Sequence, residues 1–238
     1  MTKLSVNINK IATLRNARGG NVPCVTEAAI NIQRFGAQGI TIHPRPDERH
    51  IRYDDVFRLK EVVTTEFNIE GYPSERFLEL IKAVKPEQVT LVPDPPDVLT
   101  SNTGWEVKQH MDFLKTVIQQ LKQWAGRVSI FVNDDKTMMP YAAEVGADRV
   151  ELYTEPYAKA YAEGMHEQAI VSFLETAEEA RKNGLGINAG HDLDLNNLKF
   201  FHDTIPWLDE VSIGHALISD ALYYGLENTV QLYLKQLK

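Results

Sequence analysis

Residues 34–42 read Arg-Phe-Gly-Ala-Gln-Gly-Ile-Thr-Ile, and residues 144–152 read Glu-Val-Gly-Ala-Asp-Arg-Val-Glu-Leu. Each stretch ends a helical pattern on Gly-Ala and opens a short run of aliphatic and β-branched residues. Glycine belongs there because it adopts the left-handed backbone that stops a helix. A 3.6-residue period giving way to a short apolar run is how a helix hands the chain to a parallel strand buried on both faces. Working outward, the same alternation occurs eight times. The strand candidates are 3–8, 39–44, 66–71, 88–93, 127–132, 149–154, 186–190 and 210–215. Helical spacing fills the intervals, for example at 25–36, 74–85, 105–126 and 216–238. Ser74 precedes one such run as an N-cap, and Gly36, Gly126, Gly146 and Gly184 follow others. No linker, low-complexity stretch or shift in composition divides the chain. The pattern predicts an α/β fold, a (β/α)8 TIM barrel with extra helices, forming a single catalytic domain over 1–238. The competing arrangement is an open doubly wound sheet, but no G-x-G-x-x-G follows the first strand.

A formal charge of −8 argues against a general nucleic-acid binder, which needs a basic face. It leaves room for small phosphorylated ligands, which need only local cations and backbone N–H groups. Cys24 is the only cysteine, so an intrachain disulfide and a Cys-rich zinc site are both excluded. The first twenty residues lack the apolar core of a signal peptide, and no apolar stretch approaches the roughly 18 residues of a membrane span. The expectation is a soluble cytoplasmic protein with neither nucleic-acid nor membrane partners.

In such barrels the active site lies at the C-terminal ends of the strands, and reactive residues collect there. Asn7 and Asn9 end the first strand, with Lys10, Arg15 and Arg18 following. His43, Arg45, Arg49 and His50 follow the second, and Glu70 ends the third. Glu151 is carried by the sixth. Asn188, Gly190 and His191 end the seventh, and Gly214 and His215 the eighth. His43 reads as an acid–base group, since imidazole titrates near neutral pH, or as a satisfied histidine of the barrel mouth. Glu70 follows largely apolar residues. A carboxylate held there would resist ionisation and make a usable base, unless it is a salt-bridged rim group. His191 lies beside small residues that let a ligand approach the backbone. Gly214-His215-Ala216 runs straight into a helical segment, so free N–H groups there would hold a phosphate; the alternative is an ordinary turn. Arg15, Arg18, Arg45 and Arg49 could supply charge for a second phosphate; each alone reads as a surface arginine, and only the placement of Arg18 and Arg45 in mouth loops raises them.

Three other chemistries are weighed. His43, Glu70, Glu151 and His191 could in principle form a His/carboxylate metal site, but neither a strand-end H-x-H nor an H-E-x-x-H occurs. A serine or cysteine nucleophile lacks its motif. Lys10 is the only strand-end lysine, which disfavours a Schiff-base aldolase. A different phosphosugar isomerase or aldolase barrel, and a non-catalytic scaffold, remain as alternatives.

The first strand reads Val-Asn-Ile-Asn-Lys-Ile-Ala-Thr-Leu-Arg-Asn-Ala-Arg-Gly (6–19). It closely resembles the opening of the pyridoxine 5'-phosphate synthase family, V-N-I-D-H-I-A-T-L-R-N-A-R-G. The likeness continues through 39–51, 67–70, 91–93, 188–193 and 212–216, and spans essentially the whole chain. The resemblance implies condensation of 1-deoxy-D-xylulose 5-phosphate with 3-amino-2-oxopropyl phosphate to pyridoxine 5'-phosphate, with no metal or redox cofactor. It implies acid–base roles for His43 and Glu70 and a proton-donor role for His191. Asn7, Arg18, Asp192, Gly214 and His215 match positions that hold the amino ketone phosphate. Arg45, His50 and Thr100 match those that hold the deoxyxylulose phosphate, with Asn9 and Lys10 beside them; Glu151 joins the substrate-binding set. A high-order homo-oligomer, an octamer, is also implied. Two departures stand out: Asn9-Lys10 replaces the family's Asp-His, and Asp192 stands where some members have glycine. Residues 155–170 are the candidate lid.

Overall fold

The computed structural model describes residues 1–93 and 103–238. Eight parallel strands close on themselves in sequence order: β1 Lys3–Asn7, β2 Gly39–Ile42, β3 Glu66–Gly71, β4 Gln88–Leu91, β5 Arg127–Val132, β6 Arg149–Leu152, β7 Gly186–Ala189 and β8 Glu210–Ile213. Closure is made by β8 on β1, in a register running from Lys3 opposite Glu210 to Val6 opposite Ile213. The helices are α1 Asn9–Arg18, α2 Val25–Arg34, α3 Tyr53–Val62, α4 Glu75–Val84, α5 Met111–Leu121, α6 Met139–Glu144, α7 Glu155–Ala162, α8 His166–Lys182, α9 Leu198–Thr204, α10 His215–Tyr224 and α11 Leu226–Gln236. None of the described helices is long and apolar enough to cross a membrane.

The closed barrel settles the choice against an open sheet. Every expected strand is present, but most stop one or two residues early. The residues left over, such as His43, Gly190 and Gly214, have passed out of the ladder and stand at the mouth. Ser74 caps α4 as expected, its hydroxyl accepting the Phe77 N–H at 3.3 Å. Two helical readings need correction. The 105–126 segment is helical only over Met111–Leu121, because the Trp105 indole is tied to Leu91 O at 3.0 Å. The C-terminal segment is two helices, since Gly225 at φ +77° turns the chain between α10 and α11.

The strands sort their side chains by the two-residue period. Leu4, Val6, Ile40, Ile42, Phe67, Ile69, Val89, Leu91, Val128, Ile130, Val150, Leu152, Ile187 and Val211 are fully or almost fully buried in the aliphatic core. Burial of each such side chain contributes about 1.5–3 kcal/mol. The alternate residues fill the barrel interior, and here they are mostly polar rather than the usual branched aliphatics. Ser5 Oγ and Thr41 Oγ1 lie 2.7 Å apart, Asn68 Nδ2 donates to Thr41 Oγ1 at 3.4 Å, and Thr90 Oγ1 donates to Asn68 Oδ1 at 3.1 Å. Toward the N-terminal end, Gln88, Arg149, Asn188 and Glu210 form a second hydrogen-bonded set, and Arg127 joins it through Gln88 Oε1 at 2.7 Å.

Candidate active site

The C-terminal mouth holds a cavity of about 460 Å³. Of the residues expected from the sequence, His43, Glu70, His191, Asn7, Asn9, Lys10, Arg45, His50, Glu151, Asp192, Gly214 and His215 all line it. Arg18 does not; it is exposed at the C-terminal end of α1. Thr100 lies outside the described residues. Arg15, weighed with the other arginines, is a structural residue, buried against Asp55 at 2.6 Å. Thr13, Arg49, Thr90, Val92, Phe131 and Ser212 also line the cavity. Of these, residue type and position in the sequence point only to Arg49. Thr90 and Ser212 sit two residues before Val92 and Gly214, so stepping back by one strand period from each mouth residue finds them.

The first three strands build one wall. Asn7 Nδ2 donates to Glu70 Oε2 at 3.4 Å, and His43 Nδ1 lies 3.9 Å from the same oxygen. Asn9 Oδ1 accepts the His43 N–H at 2.9 Å, which fixes the strand end carrying the imidazole. An amide oxygen does this as well as a carboxylate, so the Asn9 departure leaves that contact intact. Burial first, then the charges of Arg45, His50 and Arg49, hold His43 well below the ordinary histidine pKa, so its ring is neutral at pH 7. His50, held down to about 4 by burial and by Arg45, Lys10 and Arg49, is neutral too. Its Nδ1 accepts the Ile51 N–H at 2.9 Å, which leaves Nε2 as the donor.

The opposite shift holds across the mouth. Burial disfavours a His191 cation, but the hydrogen bond and charge of Asp192, with Glu151 and Glu155 behind it, outweigh burial and raise its pKa. His191 Nδ1 and Asp192 Oδ2 lie 2.6 Å apart. Thr154, fully buried, donates to the His191 carbonyl and pins the backbone. Asp192 sits at φ +65°, a left-handed conformation that glycine and, less often, aspartate adopt. That accounts for both residue types at this position. His191 in turn holds the Asp192 carboxyl below its usual range, so its charge is paired. Between the two walls, burial raises the Glu151 carboxyl to about 7 against a hydrogen bond from Thr90 at 3.4 Å and the nearby His191.

Groups of a kind able to hold anions flank these side chains. Gly214, His215 and Ala216, at the N-terminus of α10, line the cavity, and the first N–H groups of a helix have no partner within it. Lys10, Arg45 and Arg49 supply positive charge from the connections after β1 and β2. Among the described residues, no group of three or more His, Cys, Asp or Glu side chains is arranged to hold a metal ion. The candidate lid is α7 and the start of α8. Tyr157 anchors α7, buried with its hydroxyl donating to Asn197 O at 2.7 Å and its ring edge-on to Phe201 at 5.0 Å. So α7 is a packed element, not a free flap.

Residues 4–238 match the family of the pyridoxal phosphate biosynthesis protein PdxJ. The chain belongs to the pyridoxine 5'-phosphate synthase family. The pyridoxine 5'-phosphate synthase of Porphyromonas gingivalis is 60% identical over 237 residues, covering 100% of this chain and 99% of that one. That of Phocaeicola vulgatus is 62% identical over 233 residues, covering 98% of each. Among solved structures, phosphoribosyl anthranilate isomerase from Thermotoga maritima superposes with a TM-score of 0.61 at 12% identity, over 100% of this chain and 98% of that one. Thiamine phosphate pyrophosphorylase from Pyrococcus furiosus does so at 0.63 and 10% identity, over 99% and 95%. At those identities the likeness is of fold alone.

Proposed function

We propose that this synthase condenses 1-deoxy-D-xylulose 5-phosphate with 3-amino-2-oxopropyl phosphate, giving pyridoxine 5'-phosphate, inorganic phosphate and water. The observation that carries this reading is one cavity in which neutral His43, with Glu70 beside it, faces His191, Asp192 and Glu151, with groups able to hold anions on two sides. Two phosphorylated substrates need two anion sites. The amino ketone phosphate is assigned to the N-terminus of α10, at Gly214 and His215 with Asn7 and Asp192 beside it. The deoxyxylulose phosphate is assigned to Arg45 and His50, with Lys10 and Asn9 next to them.

Each proton transfer then has a group in the right state. Joining the amine to the ketone expels water, which requires a proton delivered to the departing oxygen. His191 is the group that delivers it, since Asp192 at Nδ1 favours the protonated ring. Carbon acids must lose protons before the ring closes, and neutral His43 accepts one, with Glu70 3.9 Å from its Nδ1 as the second acceptor. Glu151, raised to about 7, exchanges a proton readily in either direction at neutral pH.

The family resemblance further implies a cytoplasmic homo-oligomer, and the exposed Leu222 and Tyr223 at the end of α10 offer apolar surface for subunit contact. The deciding experiment mixes the protein with both substrates, with and without EDTA, and follows pyridoxine 5'-phosphate by chromatography and absorbance. Product is expected in both samples. Glu70→Gln is expected to lower turnover by at least about 100-fold, in line with loss of a general base, while both substrates still bind. A folded protein that makes no product would overturn the assignment.

A further inference from the structure

The interior of the barrel satisfies most of its polar side chains, and the exceptions are informative. Among the described residues, the Ser212 hydroxyl has no hydrogen-bond partner although the residue is only 6% exposed. A buried unpaired hydroxyl is costly, and folded proteins rarely keep one without a use. The strand geometry explains why no neighbour satisfies it. Ser212 lies on β8, and Val211 and Ile213 on either side of it belong to the aliphatic core, so Ser212 faces the interior and lines the cavity. On β1 it is level with Ser5, whose hydroxyl is engaged with Thr41 at 2.7 Å. On the β7 side stands Gly190, which has no side chain to offer; a Cβ there would lie 1.9 Å from Ser212 O. That close backbone approach leaves room only for glycine at 190, so no side chain reaches the Ser212 hydroxyl from there.

Two residues farther along β8, Gly214 opens α10. Two strand residues span roughly 6.6 Å, comparable to the reach from a phosphate, through its ester oxygen and one methylene, to the next carbon's substituent. A ligand whose phosphate sits on the α10 N-terminus and whose chain runs down into the barrel therefore brings that substituent to Ser212. Here Asn7 flanks the phosphate level, since a Cβ on Gly214 would lie 3.1 Å from the Asn7 Cβ. We propose that Ser212 is a specificity-determining residue that donates a hydrogen bond to the ketone oxygen of the amino ketone phosphate. The proposal rests on the functional reading above and adds to it the group that distinguishes a 2-oxo substrate from any other small phosphate ester. The bond also polarises the carbonyl, which favours loss of a proton from the adjacent carbon.

The test compares Ser212→Ala with the wild type and with Ser129→Ala. Ser129 is a second buried, unpartnered hydroxyl of the barrel interior that does not line the cavity, so it reports the effect of losing a core serine on folding alone. KM is measured for each substrate, and inorganic phosphate binding is measured by calorimetry. The expected result for Ser212→Ala is a rise of roughly 10-fold in KM for 3-amino-2-oxopropyl phosphate, the worth of one site hydrogen bond. KM for deoxyxylulose phosphate and the affinity for inorganic phosphate stay unchanged, and Ser129→Ala behaves as wild type. Unchanged kinetics in Ser212→Ala would overturn the proposal. So would a parallel loss of inorganic phosphate affinity, which would make Ser212 a support of the phosphate loop. A wild type that binds phosphate yet makes no product would overturn the functional reading, and the Ser212 assignment with it.

Discussion

At the scale of single residues, two imidazoles of the mouth are shifted in opposite directions, His43 down and His191 up. The cause is local: His43 is buried beside Arg45, whereas His191 has a carboxylate 2.6 Å from its Nδ1. Asp192→Asn keeps the shape of that contact and removes its charge. Without its anionic partner the His191 pKa falls, so His191 loses its proton at lower pH. The basic limb of kcat/KM should therefore move to lower pH. The acidic limb, set by His43 below the ordinary 6.5, should stay in place. A pH–rate profile of the variant checks this, and an unmoved basic limb would remove His191 as the proton donor. The left-handed backbone at 192 tolerates asparagine as well as aspartate, so the substitution does not disturb the turn.

At the scale of elements, the connection carrying Arg45 and His50 is held by α1. Arg15 is 1% exposed; its Nη1 meets Asp55 at 2.6 Å, and its Nη2 donates to His50 O at 3.0 Å. Asn16 Nδ2 reaches the same carbonyl at 2.8 Å. One buried ion pair thus fastens α1, α3 and the loop between β2 and α3. Arg15→Leu leaves Asp55 buried without its counter-charge, which costs about 3–5 kcal/mol. Urea denaturation should show that loss. KM for the deoxyxylulose phosphate should rise with it, because the His50 backbone loses an anchor. A stability loss without any change in KM would mean that this loop is positioned from elsewhere.

At the scale of the whole molecule, the aliphatic core lies between strands and helices, and the barrel interior is a hydrogen-bonded polar column. That division lets Glu151 sit deep enough for burial to raise its pKa while Thr90 and Asn68 keep its surroundings ordered. Asn68→Leu preserves volume approximately but removes the partner of both Thr41 and Thr90. The expected cost is about 1–3 kcal/mol in global stability, read as a lower denaturation midpoint. An unchanged midpoint would show that the column repacks without it.

Local pattern is enough for the eight strands, most helices and the N-cap at Ser74, because period and capping depend on residues a few positions apart. Strand-end position is likewise enough to gather most of the site, since a parallel barrel delivers every strand end to one mouth. The longest helical readings overshoot where a distant contact or a single glycine intervenes, as at Trp105 and Gly225. What remains depends on distances through space, which no sequence interval encodes. Arg15 looks like a ligand arginine until Asp55, forty residues away, claims it. Ser212 looks like any strand serine until Gly190 and Ser5 leave its hydroxyl unanswered. The pKa shifts of His43, Glu151 and His191 follow from burial and neighbouring charge, and those exist only once the barrel has closed.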